Sequence, residues 1–229
     1  MSEQVHKMFT EIAPKYDAIN DALSLGIHRG WRKVAVKLSG AQSGDSVLDC
    51  ATGTGDLAIA FKRAVGSGEV VGTDFNADML SFAPAKAQKE GLDIKFEVAD
   101  AMKLPYENAR FTVASISFGI RNVDDPKVCA AELARVVKPG GRVVVLEFGQ
   151  PTGLFGAAYR LWAKTAMPLL GRLVSGGSSA PGDYLPRTMA AFPAGEKFTA
   201  MMMDTGRYTK AEAHPLMWGL AYVYVGTVK

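Results

Sequence analysis

Three acids each close a short apolar run: Asp49 in Val47-Leu48-Asp49-Cys50, Asp74 in Val70-Val71-Gly72-Thr73-Asp74, and Asp100 after Ile94 to Val98. Carboxylates at three successive strand ends suit a ligand that carries an ammonium group and hydroxyls. Between the first two lies Ala51-Thr52-Gly53-Thr54-Gly55-Asp56, a glycine-rich turn opening into helical spacing at Leu57, Ala58, Phe61 and Ala64. Glycine there lets the backbone turn sharply and a ligand come against it. Gly53, Gly55 and Ala58 also satisfy the dinucleotide pattern G-x-G-x-x-G/A, with Asp74 about 20 residues further on. Asp49 decides between the ligands: it would repel a pyrophosphate and attract an ammonium, which favours S-adenosyl-L-methionine over NAD. Asp49 is then expected to face the methionine amino group and the Gly53 to Gly55 backbone the methionine and ribose. Asp74 would take the ribose hydroxyls and Asp100 the adenine amino group. The plainer role for one acid after a strand is a turn or helix cap; three in succession favour the ligand.

The elements that must position these acids alternate. Val47 to Cys50, Glu69 to Thr73, Ile94 to Val98, Thr112 to Ser117 and Arg142 to Phe148 have the apolar composition of strands covered on both faces. Helical patterns lie at Asp56 to Ala64, Ala77 to Lys89 and Lys127 to Val137, the second interrupted by Pro84 and the third closed by Lys138-Pro139-Gly140-Gly141. This alternation specifies an α/β fold with a parallel, doubly wound sheet. Ala221 to Val228 reads as a final strand, forming a hairpin with the segment around Lys210 to Leu216.

A chain of 229 residues, 48% hydrophobic, can bury one substantial core. The net charge of +3, without a Lys/Arg block, argues against nucleic acid. Cys50 and Cys129 lack metal-type spacing and read as two reduced thiols of a cytosolic protein. No metal is expected, the polar N-terminus is not a secretory signal, and no stretch is apolar enough to span a membrane. Two regions outside the core, 4–40 and 151–177, are expected to shape a substrate pocket. The second contains Leu154, Phe155, Tyr159, Leu161, Trp162, Met167, Leu169, Leu170 and Leu173 with Arg160, Lys164 and Arg172. Such a segment closes over an apolar ligand, rests on a membrane surface, or packs on the core.

Three blocks carry a resemblance: Tyr16-Asp17-Ala18-Ile19-Asn20 through Ser24, His28 and Trp31; Ser117-Phe118-Gly119-Ile120-Arg121-Asn122-Val123; and Arg135-Val136-Val137-Lys138-Pro139-Gly140-Gly141 through Leu146-Glu147-Phe148. In these blocks the chain resembles the ubiquinone/menaquinone biosynthesis C-methyltransferases, class I enzymes that methylate a ring carbon of a polyprenylated quinol with S-adenosyl-L-methionine. The resemblance implies a Rossmann-like, seven-stranded, doubly wound sheet with a C-terminal antiparallel strand. One domain spans 1–229: a helical pocket region (4–40), a cofactor core (44–150), an amphipathic insertion (151–177) and C-terminal elements (178–229). The chain departs from the family at Ile19, Gly149, Arg187-Thr188 and Met217-Trp218-Gly219, the last in place of a small-residue stretch, which bears on the substrate more than on the chemistry.

A phenol ionises near pH ~10, so quinol methylation needs a group that lowers this value or a base. Arg121 is the candidate for stabilising the phenolate, with a surface ion pair to Asp124 or Asp125 as its plainer role. The resemblance adds Tyr16, Asn20, His28 and Asn122 as a polar network, the proton acceptor being His28 or a water held by Tyr16 and Arg121. It also adds Thr54, Ala101 and Ser117 to the cofactor contacts. The implied reaction converts demethylmenaquinol or a benzoquinol relative at the cytosolic face of the membrane. Another apolar aromatic or isoprenoid acceptor, or a non-catalytic subunit of a quinone-synthesis complex, are the alternatives, and a homodimer is left open.

Overall fold

Short β-branched runs form the inner strands because buried, two-faced positions favour stiff apolar side chains. The structure, a computed structural model, describes residues 3–175 and 180–229, with side chains described over 5–167 and 184–229. Its strands are β1 (Val47–Cys50), β2 (Val70–Asp74), β3 (Lys95–Val98), β4 (Phe111–Ser117), β5 (Val137–Phe148), β6 (Tyr208–Leu216) and β7 (Ala221–Val228). They form one sheet in the order β3-β2-β1-β4-β5-β7-β6. β7 runs antiparallel to β5 and β6, and the remaining pairings are parallel. The alternating pattern and the C-terminal hairpin expected from the sequence are both present.

Helices α1 (Glu3–Ile12), α2 (Tyr16–Ser24) and α3 (Ile27–Ser39) precede the sheet, and α4 (Asp56–Val65) follows the glycine turn. The pattern over 77–89 divides into α5 (Ala77–Leu80) and α6 (Ala83–Lys89), with Pro84 in the first turn of α6. Proline is tolerated there because that N–H has no helical acceptor. α7 (Pro126–Val136) ends as expected, but Lys138 to Gly141 form the start of β5 rather than a loop. Val137 pairs with Phe111 before the register shifts to Val113 opposite Arg142, so an irregularity absorbs the Pro-Gly-Gly segment. α8 (Gly153–Ser175), α9 (Ala180–Ala191) and α10 (Glu196–Met203) connect β5 to the hairpin.

One face of the sheet buries Phe111, Ile116, Leu133, Phe198, Tyr208 and Tyr224, and the other Val47, Phe61, Val113, Leu146 and Val223 with Trp31 of α3. Cys50 and Cys129 are free and fully buried, and burial raises both thiols, Cys129 to about 12, so neither is a nucleophile at neutral pH. Among the described residues, no helix is long and apolar enough to cross a membrane.

Candidate active site

The chain turns abruptly after β1 and β4, where Ala51 and Phe118 adopt left-handed backbone (φ 47° and 55°) without being glycine. Such conformations persist where surrounding structure fixes them, and they cluster at ligand sites. Between these turns lies a cavity of about 230 Å³ lined by Gly53, Asp74, Asp100, Ala101, Ser117 and Asn122. Asp74 accepts hydrogen bonds from the N–H of Gly53 (2.8 Å) and of Asn76 (2.8 Å), which fix its carboxylate at the cavity wall. Asp100 accepts from the N–H of Met102 at 2.9 Å.

Asp49 sits within β1 and reaches an adjoining narrow recess, also lined by Thr52, Thr54 and Ser117. Its two oxygens accept from the hydroxyls of Thr52 (2.7 Å) and Ser115 (2.7 Å). Burial nevertheless raises its pKa to about 6, because two hydroxyls do not replace a hydration shell. Of the expected cofactor residues, Gly55 lies behind the cavity walls, and Thr54 lines the recess while also bonding to α2. Gly55 lines neither cavity: a Cβ there would lie 3.0 Å from Cβ of Ala83, and its φ of 88° makes it the glycine that turns the chain into α4. The Thr54 hydroxyl donates to Asp17 Oδ1 at 2.6 Å and so ties the turn to α2.

A second cavity, about 380 Å³ and mainly apolar, lies between α1, α2, α3 and α8. Its walls include Ile19, Leu23, Trp31, Phe148, Phe155 and Trp162, and it shares Phe9, Tyr16 and Phe118 with the first cavity. Arg121 lines it, although its side chain is only 7% exposed. The pairing with Asp124 or Asp125 considered from sequence is not the one formed. Nη1 donates to Glu147 Oε1 (2.6 Å) and to the Phe118 carbonyl (2.7 Å), and Nε to Thr188 Oγ1 (3.3 Å). Asp125 caps α7 instead, accepting from the N–H of Lys127 and Val128. Glu147 is fully buried and was missed as a partner: it lies 26 residues from Arg121 in sequence, and its only local signal was an acid inside an apolar strand.

His28 is placed in the wall of the apolar cavity. Burial, with Arg32 nearby, lowers its pKa to about 4, and Ser24 Oγ lies within hydrogen-bond distance of Nδ1. Burial raises the pKa of Tyr16, whose hydroxyl meets Asn20, so Tyr16 keeps its proton at neutral pH. Asn122 faces the first cavity and accepts from the Tyr184 hydroxyl at 2.6 Å. A further cluster had no local sequence signal. Lys86 of α6 bridges Asp17 (2.6 Å) and Asp56, and Arg32 of α3 meets Asp56 at 2.8 Å. These contacts clip α2 and α3 over the glycine turn.

The geometry is thus two cavities, one rimmed with acids and one apolar with a buried guanidinium, meeting at an aromatic partition. The model of the ubiE/COQ5 methyltransferase family matches residues 1–228. The chain belongs to this family. It is 53% identical over 228 residues to the ubiquinone/menaquinone biosynthesis C-methyltransferase UbiE of Bdellovibrio bacteriovorus, covering 99% of this chain and 97% of that one. It is 46% identical to a demethylmenaquinone methyltransferase of Deinococcus radiodurans, covering 98% and 92%. The fold is similar to a putative S-adenosyl-L-methionine-dependent methyltransferase from Methanococcus maripaludis, with a TM-score of 0.69, 15% identity, and coverage of 96% and 93%.

The chain is accordingly an S-adenosyl-L-methionine-dependent methyltransferase, and its donor set fits that cofactor. A buried acid whose pKa is raised by desolvation suits an ammonium. A carboxylate fixed by two backbone N–H groups at a cavity wall suits a diol.

Proposed function

We propose that this methyltransferase transfers a methyl group to a ring carbon of a polyprenylated quinol, with demethylmenaquinol as the best-supported acceptor. The observation that carries this reading is the apolar cavity ending at Arg121 and sharing its Phe9, Tyr16 and Phe118 wall with the acid-rimmed cavity. When bound, S-adenosyl-L-methionine supplies a methyl group already activated on a sulfonium. Asp74, Asp100 and Asp49 would hold that cofactor. The chain's remaining task is to align the ring and raise its electron density. A guanidinium in a low-dielectric site favours the phenolate, each ~1.4 kcal/mol of differential stabilisation lowering the phenol pKa by about one unit. The ionised oxygen pushes charge onto the adjacent ring carbon, and Tyr16, a wall of both cavities, would orient the ring. The phenol proton leaves to His28 or to a water held by Tyr16 and Arg121.

Prenyl quinols reside in bilayers, so the enzyme meets its substrate at the membrane surface, as a peripheral protein on the cytoplasmic side. A second reading, methylation of another apolar aromatic acceptor, is favoured by one observation: the departures at Thr188 and Met217 fall on the Arg121 contact and the apolar cavity wall. Incubation with the cofactor and reduced short-prenyl demethylmenaquinone, followed by mass and NMR analysis, tests both. Methylation at the ring carbon supports the quinol reading, methylation at oxygen or of other aromatics only supports the second, and no turnover of the quinol overturns the first.

A further inference from the structure

Among the described residues few large apolar side chains are well exposed, yet several of the most exposed ones gather around one opening. Leu25 (77% exposed) and Ile27 (37%) both line the apolar cavity, so the cavity wall itself reaches the surface at the turn between α2 and α3. Across the opening stands α8. Ala158 on this helix is exposed and also lines the cavity. Leu154 (93% exposed) and Leu161 (65%) lie four residues before and three after it, on the same helix face. The third side is the turn between β6 and β7, where Trp218 is 76% exposed and its ring lies 5.1 Å from Phe155, another cavity residue.

Two of these residues are held outward by unfavourable backbone. Leu25 (φ 51°) and Trp218 (φ 52°), with Met217 beside it (φ 44°), occupy the left-handed region that large side chains rarely adopt. A soluble surface gains nothing from strained turns that display leucine and tryptophan to water. Charge completes the pattern. Arg160 and Lys164 are exposed on α8, and the sequence of that helix contains no acidic residue.

We infer that Leu25, Leu154, Leu161 and Trp218 form a rim that enters the headgroup region of an anionic bilayer, with Arg160 and Lys164 against its charge, so that the cavity opens directly onto the lipid holding the substrate. The inference rests on the quinol reading. It adds the surface and the direction of entry: the prenyl tail stays in the bilayer side of the opening, while the ring passes inward to Arg121. Tryptophan and leucine at the interface with basic residues beside them match what headgroup regions accept. A second copy of the chain would cover the same apolar residues but would close the opening, and like basic charges would meet.

The test uses the full chain and a variant carrying Leu154→Gln, Leu161→Gln and Trp218→Gln, none of which lines the apolar cavity. Wild type is expected to float with phosphatidylcholine/phosphatidylglycerol vesicles, its tryptophan emission quenched by brominated acyl chains. The variant should bind at least roughly tenfold more weakly. It should lose turnover of long-prenyl quinol in vesicles in proportion while methylating a short-chain soluble quinol at the wild-type rate. Arg160→Glu/Lys164→Glu should weaken binding to anionic vesicles but not to phosphatidylcholine alone. Wild type that methylates the soluble quinol but ignores vesicles overturns the rim alone, whereas failure on the soluble quinol overturns the underlying reading. Loss of soluble activity in the glutamine variant, or its conversion from dimer to monomer, assigns these residues to packing or self-association and also overturns the rim.

Discussion

At the scale of single residues, the site stores unfavourable charge that its ligands relieve. Asp49 has a folded pKa of about 6 against an ordinary 3.8. Between pH ~4 and ~6 the native state therefore binds the proton that the unfolded chain has lost, and stability of the ligand-free protein falls as pH rises through that window. Above it, the cost is on the order of 3 kcal/mol. Asp49→Asn should raise the melting temperature of the free protein by several degrees at pH 8 and leave it unchanged near pH 3.5. In saturating cofactor the order should reverse, because the asparagine cannot pair with an ammonium. A variant no more stable than wild type at pH 8 would show that Arg32 already neutralises Asp49. Arg121 and Glu147 form the opposite case, a buried pair in which each charge needs the other. Arg121→Met leaves Glu147 unpaired, and should cost about 3 kcal/mol of stability and roughly 10²-fold or more in turnover. Adding Glu147→Gln should return most of the stability and none of the turnover. Recovery of both would make Arg121 a structural residue.

At the scale of elements, the glycine turn is held from above as well as from the sheet. Lys86 joins Asp17 of α2 to Asp56 of α4, and Thr54 donates to the same Asp17. Lys86→Met should loosen α2 and weaken cofactor binding by about 1 kcal/mol, a modest value because the lysine is 30% exposed and screened. Calorimetry at low and high salt would show the wild-type affinity falling toward the variant's as salt rises; an unchanged variant would mean that apolar packing alone seats α2. This clip also marks the limit of what sequence reveals. The strands were legible because buried β-branched runs leave a local signature, and Asp74 because an acid after such a run beside a glycine turn has few other uses. Asp17 and Lys86 stand 69 residues apart, and no periodicity links them. The same holds for Glu147 beside Arg121. The start of β5 was misread for another reason: Pro139-Gly140-Gly141 is stop chemistry locally, and only the irregular pairing with β4 accommodates it in a strand. In α8, periodicity showed an amphipathic helix but not which face met the cavity. Leu169, Leu170, Arg172 and Leu173 lie outside the residues whose side chains are described.

At the scale of the whole molecule, the two cavities are neighbours rather than separate sites. Phe9 of α1, Tyr16 of α2 and Phe118 after β4 are walls of both. Phe9 and Tyr16 stack edge to face, as do Phe9 and Tyr184, so the partition belongs to one aromatic cluster. A ligand on either side fixes the partition for the other, and the ordering cost is met once rather than twice. Adenosylhomocysteine should therefore bind about 3- to 10-fold more tightly in saturating quinol analogue, a coupling of roughly 1 kcal/mol. The quinol analogue must gain by the same factor when adenosylhomocysteine is present, since the coupling is a property of the pair. Titrations in both orders measure it. Tyr16→Phe keeps the ring and should keep the coupling, whereas Phe9→Ala removes a wall and should reduce it. Independent affinities in the wild type would mean that the partition is already rigid and that the cavities communicate only through the methyl group they exchange.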